Sequence, residues 1–256
     1  MLGPVVWTLA LCGWPAPLTT PKQAWRERMR AQRHIRPHVN PLQSRFTEPP
    51  ENLSETLAFS RKDMPLHVDI GCGKGHFCAD LAAANPALNV IGIEIRHELV
   101  SEANRLCELS ASDNLRFVSG SANTLITPCC EALPDAVLTS ATIQFPDPWP
   151  KRRHHKRRVC QPPLVHALAE HLVDDGVVFL QSDVQELAAD MRSCFLDSGF
   201  FREVAASERD ADGWLLDTAE RPFGAVQTER ERQALRRNTP VWRCVLFRSG
   251  RTRRDA

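Results

Sequence analysis

The sequence of 256 residues has no tyrosine, only four methionines and only five lysines. Without Tyr, aromatic stacking on a ligand falls to Trp, Phe, His or Arg. No apolar run reaches the ~18 residues of a membrane-spanning helix, so such a helix is excluded. Nine cysteines, at 12, 72, 78, 107, 129, 130, 160, 194 and 244, never form a C-x-x-C pair. Their scatter and odd number fit reduced thiols in an intracellular protein and offer no clustered zinc ligands. His154-His155 lies within a basic run that would repel a metal ion, so no metal is expected. The dinucleotide fingerprint G-x-G-x-x-G is also missing, which disfavours a nicotinamide oxidoreductase. No internal repeat is present.

The composition that remains is that of a globular protein, with 43% hydrophobic and 25% charged residues. The formal net charge of +1 hides a pattern. Residues 1–45, 151–158 and 236–256 each carry +6, whereas 46–150 carry −8 and 159–235 carry −9. Arg supplies 27 of the 32 basic residues, and its planar fork of donors suits phosphate. Three basic blocks around an acidic body suggest a polyanion-binding surface. Solvated tails and one solvated loop are the plainer alternative.

Strands and helices alternate along the chain. Leu66–Ile70, Asn89–Glu94, Leu115–Val118, Ala136–Gln144 and Gly176–Gln181 read as strands. His76–Ala84, His97–Leu109, Pro163–Val173 and Val184–Leu196 read as helices. Late strands are expected at Phe200–Ala205 and Val241–Phe247. This alternation predicts an α/β fold, a parallel sheet with helices on both faces. Residues 1–33 read as a flexible extension, 34–248 as the domain and 249–256 as a basic tail. The apolar stretch Val5–Cys12 lacks the basic flank of a secretory signal. The Arg-rich, acid-poor segment Lys22–Arg36 fits an organelle transit peptide, an RNA-binding arm, or both in succession. An intracellular location is expected, its compartment open.

The first strand runs into Asp69-Ile-Gly71-Cys-Gly73-Lys-Gly75 and then a helix. Glycines allow a ligand to approach the backbone, and an acid before them suits a cationic or amino-bearing group better than a pyrophosphate. Glu94 closes the second strand, where an acid can accept both hydroxyls of a ribose. The D-x-G-x-G-x-G pattern resembles motif I of class I S-adenosylmethionine methyltransferases. The resemblance implies S-adenosylmethionine as cofactor and a Rossmann-like fold, mostly parallel with a late antiparallel strand. It implies that Asp69, Gly71, Gly73, Gly75, Glu94, Ile95, Ser121, Ala122 and Asp147 line the cofactor site.

The most specific segment follows the fourth strand: Phe145-Pro-Asp147-Pro-Trp149-Pro-Lys151-Arg152-Arg153-His154-His155-Lys156-Arg157-Arg158. Two prolines stiffen the backbone around Asp147 and remove competing amide donors. Six cations in eight positions supply phosphate contacts. Trp149 is suited to stacking on a base or to packing under this loop. The segment resembles the F-P-D-P-W-x-K-x-R-H-x-K-R-R signature of the tRNA (guanine-N7)-methyltransferases. Arg36–Leu42, Gln181-Ser-Asp183 and Thr228–Glu231 also resemble that family, so the likeness spans residues 34–248. It implies methylation of guanine N7 in tRNA, at the variable-loop guanine, position 46. Asp147 is then the catalytic residue. Lys151, Arg153, His154, His155, Lys156, Arg157, Arg158, Asp183, Thr228 and Glu231 are the substrate-binding ones.

Asp183 is equally placed to cap the next helix, and the surroundings of Thr228 and Glu231 read as a solvent-exposed segment. The chain departs from many family members at Asp69 (Glu there), Ser121 (Asp there), Pro150 and Glu229-Arg230. A tRNA partner is implied, no membrane is expected, and a protein subunit partner is left open. Two rival readings stand beside this one: a class I methyltransferase with another substrate, and a non-catalytic RNA-binding module.

Overall fold

The computed structural model describes residues 25–29, 39–216, 219 and 221–250. Of the segment Lys22–Arg36 read as a transit peptide or RNA-binding arm only residues 25–29 are described, and most of the basic C-terminal tail lies outside the described residues. The elements in chain order are α1 (25–29), α2 (Leu53–Thr56), β1 (Leu66–Ile70), α3 (His76–Ala84), β2 (Asn89–Glu94), α4 (His97–Leu109), β3 (Leu115–Ser119), α5 (Ala122–Glu131), β4 (Leu138–Gln144), α6 (Pro162–His171), β5 (Leu172–Ser182), α7 (Gln185–Leu196), β6 (Phe201–Glu203), α8 (Glu229–Arg236) and β7 (Trp242–Arg248). Short 3-10 turns occupy Ser44–Phe46, Arg152–Arg157 and Ala206–Glu208. Among the described residues no helix is long and apolar enough to cross a membrane.

The seven strands form one sheet in the order β3-β2-β1-β4-β5-β7-β6. The first five pair in parallel, and β7 runs antiparallel to both β5 and β6. This is the Rossmann-like class I methyltransferase arrangement expected, with an antiparallel strand inserted late. Strand order reverses between β1 and β4. Loops leaving their C-terminal ends diverge there, and ligands bind in the resulting crevice.

Every residue of β1 and β2 is buried, as expected of central parallel strands covered on both faces. Helices stay on the sheet through apolar stripes; α4 buries Leu99, Val100, Ala103, Leu106 and Cys107 at helical spacing. One core cluster centres on Leu57, Val68, Leu125, Leu164 and Phe195. A second holds Phe77, Leu81, Val90, Leu106 and Phe117 together with Trp25 and Met29, and a small third one holds Phe179, Val204, Leu215 and Val245.

Trp25 and Met29 alter the expected boundary. Residues 25–29 are helical, and both side chains are buried on the domain, where a flexible extension through residue 33 is the sequence expectation. Three more differences follow. Helix α5 is not among the elements expected from the sequence, and it carries Pro128 in its interior, a position unfavourable for proline. β5 begins at Leu172, with a register shift before regular pairing resumes at Val177. The segment after Thr228 is not a solvent-exposed stretch but helix α8, which buries Glu231 and Ala234.

Candidate active site at the switch point

The glycine loop leaves β1 into the crevice. Gly73 and Gly75 adopt φ of 58° and 68°, in the left-handed region that glycine tolerates. A Cβ at Gly75 would lie 2.6 Å from the Phe117 ring, so that position also excludes a side chain sterically. Trp25 supports the loop from the side: its indole Nε1 donates to the Lys74 carbonyl at 3.0 Å, and its ring centroid is 5.7 Å from that of Phe117.

Glu94, 4% exposed, closes β2 beside this loop. Its carboxylate accepts from Gly73 N at 2.9 Å, from Arg96 N at 3.1 Å, and from Arg96 Nε and Nη2 at 2.9 and 3.0 Å. Burial pulls the Arg96 guanidinium down. The hydrogen bonds to Glu94 and the charges of Glu94 and Asp147 outweigh it and hold the pKa above its ordinary value. Arg96 therefore joins the two acids of the crevice. Sequence reasoning missed it, although a cation two residues after a strand-end acid was a usable signal.

Asp69 turns into the sheet. Its carboxylate accepts from Thr142 Oγ1 at 2.6 Å, Cys78 Sγ at 3.3 Å and Gln144 Nε2 at 3.4 Å. Burial pushes its pKa up, opposed by those hydrogen bonds and reinforced by the charge of Glu94. The parallel register explains the partners: Asp69 faces Thr142, and His67 faces Ser140. His67 Nδ1 lies 2.8 Å from Ser140 Oγ, and burial lowers its pKa to about 3. Asp69 thus braces the strand end from below, while Gly71, Gly73, Gly75 and Glu94 border the crevice. On the far side Ser121, buried and bonded from its N to the Phe46 carbonyl at 2.8 Å, starts α5 with Ala122. Ile95 is half-buried next to Glu94.

Asp147 follows β4 on a strained turn. Phe145 and Trp149, two residues to either side, have φ of 49° and 41°. Such values cost bulky L-residues on the order of 1–3 kcal/mol each, and strain of this kind clusters at functional sites. Pro146 and Pro148 flank the aspartate, and Phe145 N is held by the Gln181 carbonyl at 2.8 Å. Trp149 packs under the basic turn, its ring 5.0 Å from the Arg157 guanidinium carbon and 5.9 Å from the His154 ring centroid. That is the packing role, not an open stacking platform.

The substrate-binding set divides. Lys151, Arg153 and Lys156, together with Arg152, which is outside the expected set, are exposed and make no ion pair among the described residues, and His154 and Arg157 are half-buried beside them. Arg158 differs: it is 5% exposed, donates to the Pro148 carbonyl at 2.9 Å, and is paired with Asp190 and Glu186 of α7. It anchors the turn and is withdrawn from a phosphate. His155 Nε2 lies 3.8 Å from Glu186, on the same anchored side. Asp183 is engaged by Arg230 Nε at 2.9 Å and does not cap α7 through its side chain. Thr228 is the N-cap of α8, accepting from Glu231 N at 3.0 Å. Glu231, 2% exposed, is ion-paired with Arg221 and with Arg243, the latter at 3.0 Å. The Thr228 hydroxyl and the Glu231 carboxylate are thus both engaged within the fold, one as a helix cap and the other in ion pairs.

A mostly parallel sheet with a glycine loop after β1, an acid closing β2 and an acidic turn after β4 is the arrangement expected of a class I methyltransferase, whose methyl donor is S-adenosylmethionine. The family described as "Putative methyltransferase" matches residues 63–244. The tRNA (guanine-N7)-methyltransferase of Nostoc sp. is 41% identical over 215 residues, covering 84% of this chain and 94% of that protein. The enzyme of the same name from Synechocystis sp. is 40% identical over 219 residues, covering 86% and 99%. The chain belongs to the tRNA (guanine-N7)-methyltransferase family.

Proposed function

We propose that this protein transfers a methyl group from S-adenosylmethionine to N7 of a guanine in tRNA, and that the target is the variable-loop guanine, position 46. One observation carries this reading. Asp147 sits on a strained, proline-locked turn at the switch point, and it is followed directly by a basic turn whose Lys151, Arg152, Arg153 and Lys156 are exposed and without an ion pair among the described residues.

The residues around the crevice fit the cofactor. The glycine loop exposes backbone, and Glu94 presents two oxygens for hydroxyl groups, shared with or yielded by Arg96. Bound there, S-adenosylmethionine supplies an electrophilic methyl on a sulfonium. Guanine N7 carries an in-plane lone pair, so no proton has to leave before it attacks. N1–H and the N2 amine of guanine are donors, and a carboxylate at Asp147 can accept from them. It would hold N7 in line and oppose the positive charge the ring gains on methylation. Alignment and electrostatics, not strong base catalysis, are the tasks left to the protein. Lys151, Arg152, Arg153 and Lys156 would hold tRNA phosphates, and a guanine engaged in tertiary structure must be exposed locally to reach Asp147.

The test is methylation of unmodified tRNA by the purified chain with labelled S-adenosylmethionine, followed by mapping of the product. Label at N7 of the variable-loop guanine is expected. Label at another guanine defeats the positional assignment, and no transfer to tRNA defeats the whole reading.

A further inference from the structure

Two buried amides connect the cofactor side of the crevice to α8. Gln144 ends β4 and Gln181 is its register partner on β5. Gln181 Nε2 donates to Gln144 Oε1 at 2.7 Å. Gln144 Nε2 in turn donates to Asp69 Oδ1 at 3.4 Å, and Gln181 Nε2 also reaches Glu231 Oε2 at 3.4 Å. A line of hydrogen bonds therefore runs from the acid before the glycine loop to the acid inside α8. The middle link is short and both outer links are long.

Three further observations bear on its purpose. Gln181 is 0% exposed, yet its Oε1 has no hydrogen-bond partner. Buried orphan acceptors are uncommon and call for a reason beyond packing. The cofactor side and α8 also meet at the surface, where His76 Nε2 of α3 lies 3.8 Å from Glu229 of α8. Finally, α8 and its C-terminal end expose Arg230, Arg236 and Arg237, and Arg230 reaches Asp183 just beyond β5. A displacement of Asp69 or of Glu231 thus draws on the same pair of amides.

We propose that Gln144 and Gln181 act as positioning residues that couple occupancy of the glycine-loop site to tRNA binding along α8. The inference rests on the function proposed above. Cofactor in its site fixes Asp69, the amide pair transmits that order to Glu231, and α8 then presents its arginines in one arrangement. Linkage makes the effect reciprocal: cofactor tightens tRNA binding by the factor by which tRNA tightens cofactor binding.

The experiment measures the dissociation constant of unmodified tRNA with and without saturating S-adenosylhomocysteine, which cannot react. Full-length wild-type protein is compared with Gln144→Met, Gln181→Met and the double variant; Met keeps length and removes the amide. Wild type is expected to bind tRNA at least about fivefold more tightly with the homocysteine compound. Each variant is expected to lose most of that ratio, the double variant losing no more than a single one. Affinity for S-adenosylhomocysteine alone is expected to stay within about threefold. A merely structural role would lower the melting temperature and leave the ratio intact. A ratio near one in wild type, an unchanged ratio in the variants, or losses that multiply in the double variant would overturn the proposal. Gln144 is half-buried, so Gln144→Met decides the matter if Gln181→Met does not fold. Labelled methyl transfer by wild type, run in parallel, separates the two readings: transfer with unchanged coupling removes only this inference.

Discussion

The crest of the sheet and the basic turn beyond it treat charge in opposite ways. At the crest, Asp69, Glu94 and Glu231 are buried, and their oxygens are occupied by partners within the fold. In the turn, Lys151, Arg152, Arg153 and Lys156 face solvent with no ion pair among the described residues. Buried charge must be paired, so the crest is rigid and specific to one arrangement. Exposed charge is screened by salt and open to a polyanion, so the turn is suited to binding through phosphates. Arg158 marks the border: it belongs to the basic run in sequence and to the buried network in space.

The contrast breaks first at Glu231. Glu231→Ala strips a carboxylate from two arginines, Arg243 itself being buried, and is expected to cost about 3 kcal/mol or more in urea unfolding. Tolerance of this change would mean that the crest is not held by its ion pairs. Arg158→Ala comes next, with a loss of about 2 kcal/mol from its charge-assisted hydrogen bonds. Its effect should appear in the unfolding midpoint and hardly in the salt dependence of tRNA binding.

Replacing Lys151, Arg152, Arg153 and Lys156 together by Ala should do the reverse. The slope of log affinity against log salt should fall by roughly 0.7–0.9 for each phosphate left without its cation. The melting temperature should stay where it is. A drop in stability with an unchanged slope would move the turn into the crest's class.

The last effect concerns pH. Burial depresses the pKa of His67 to about 3 and that of His76 to about 4. Below pH ~6.5 the unfolded chain takes up protons at these histidines while the folded chain does not. Stability is therefore lost as pH falls from ~6.5 toward 4, by up to about 1.4 kcal/mol per pH unit for the fully buried His67. Asp69, raised by burial, works in the opposite sense once the carboxylate range is reached. Urea midpoints from pH 7.5 to 5 should fall in wild type and fall less steeply in His67→Gln. Equal slopes would contradict the burial argument.

Much of this division was legible in the sequence. Alternating strands and helices, the glycine loop, Glu94 and the segment Phe145–Arg158 were all local patterns, and the fold followed from them. What escaped depends on partners distant in the chain. Arg158 is fixed by Asp190 and Glu186, 32 and 28 residues on. Glu231 looked exposed in its mixed-charge surroundings, but Gln181, 50 residues earlier, and Arg243 receive it in the interior. Trp25 read as part of a flexible extension, because nothing near it announces that Phe117 and Lys74 form its seat. Asp69 was placed correctly at the glycine loop. Its inward orientation follows from the β1–β4 register, which no local pattern encodes.

The division between crest and turn is tested most directly by single-turnover methylation of tRNA, run at rising tRNA concentration. Asp147→Ala is expected to lower the rate at saturating tRNA by about 100-fold or more, on the order of 3 kcal/mol, with the tRNA dissociation constant changed less than about threefold. The fourfold Ala variant of the basic turn is expected to raise that dissociation constant while leaving the saturated rate near wild type. Asp147→Ala with a full saturated rate, or a turn variant whose saturated rate collapses while binding is unaltered, would contradict the account.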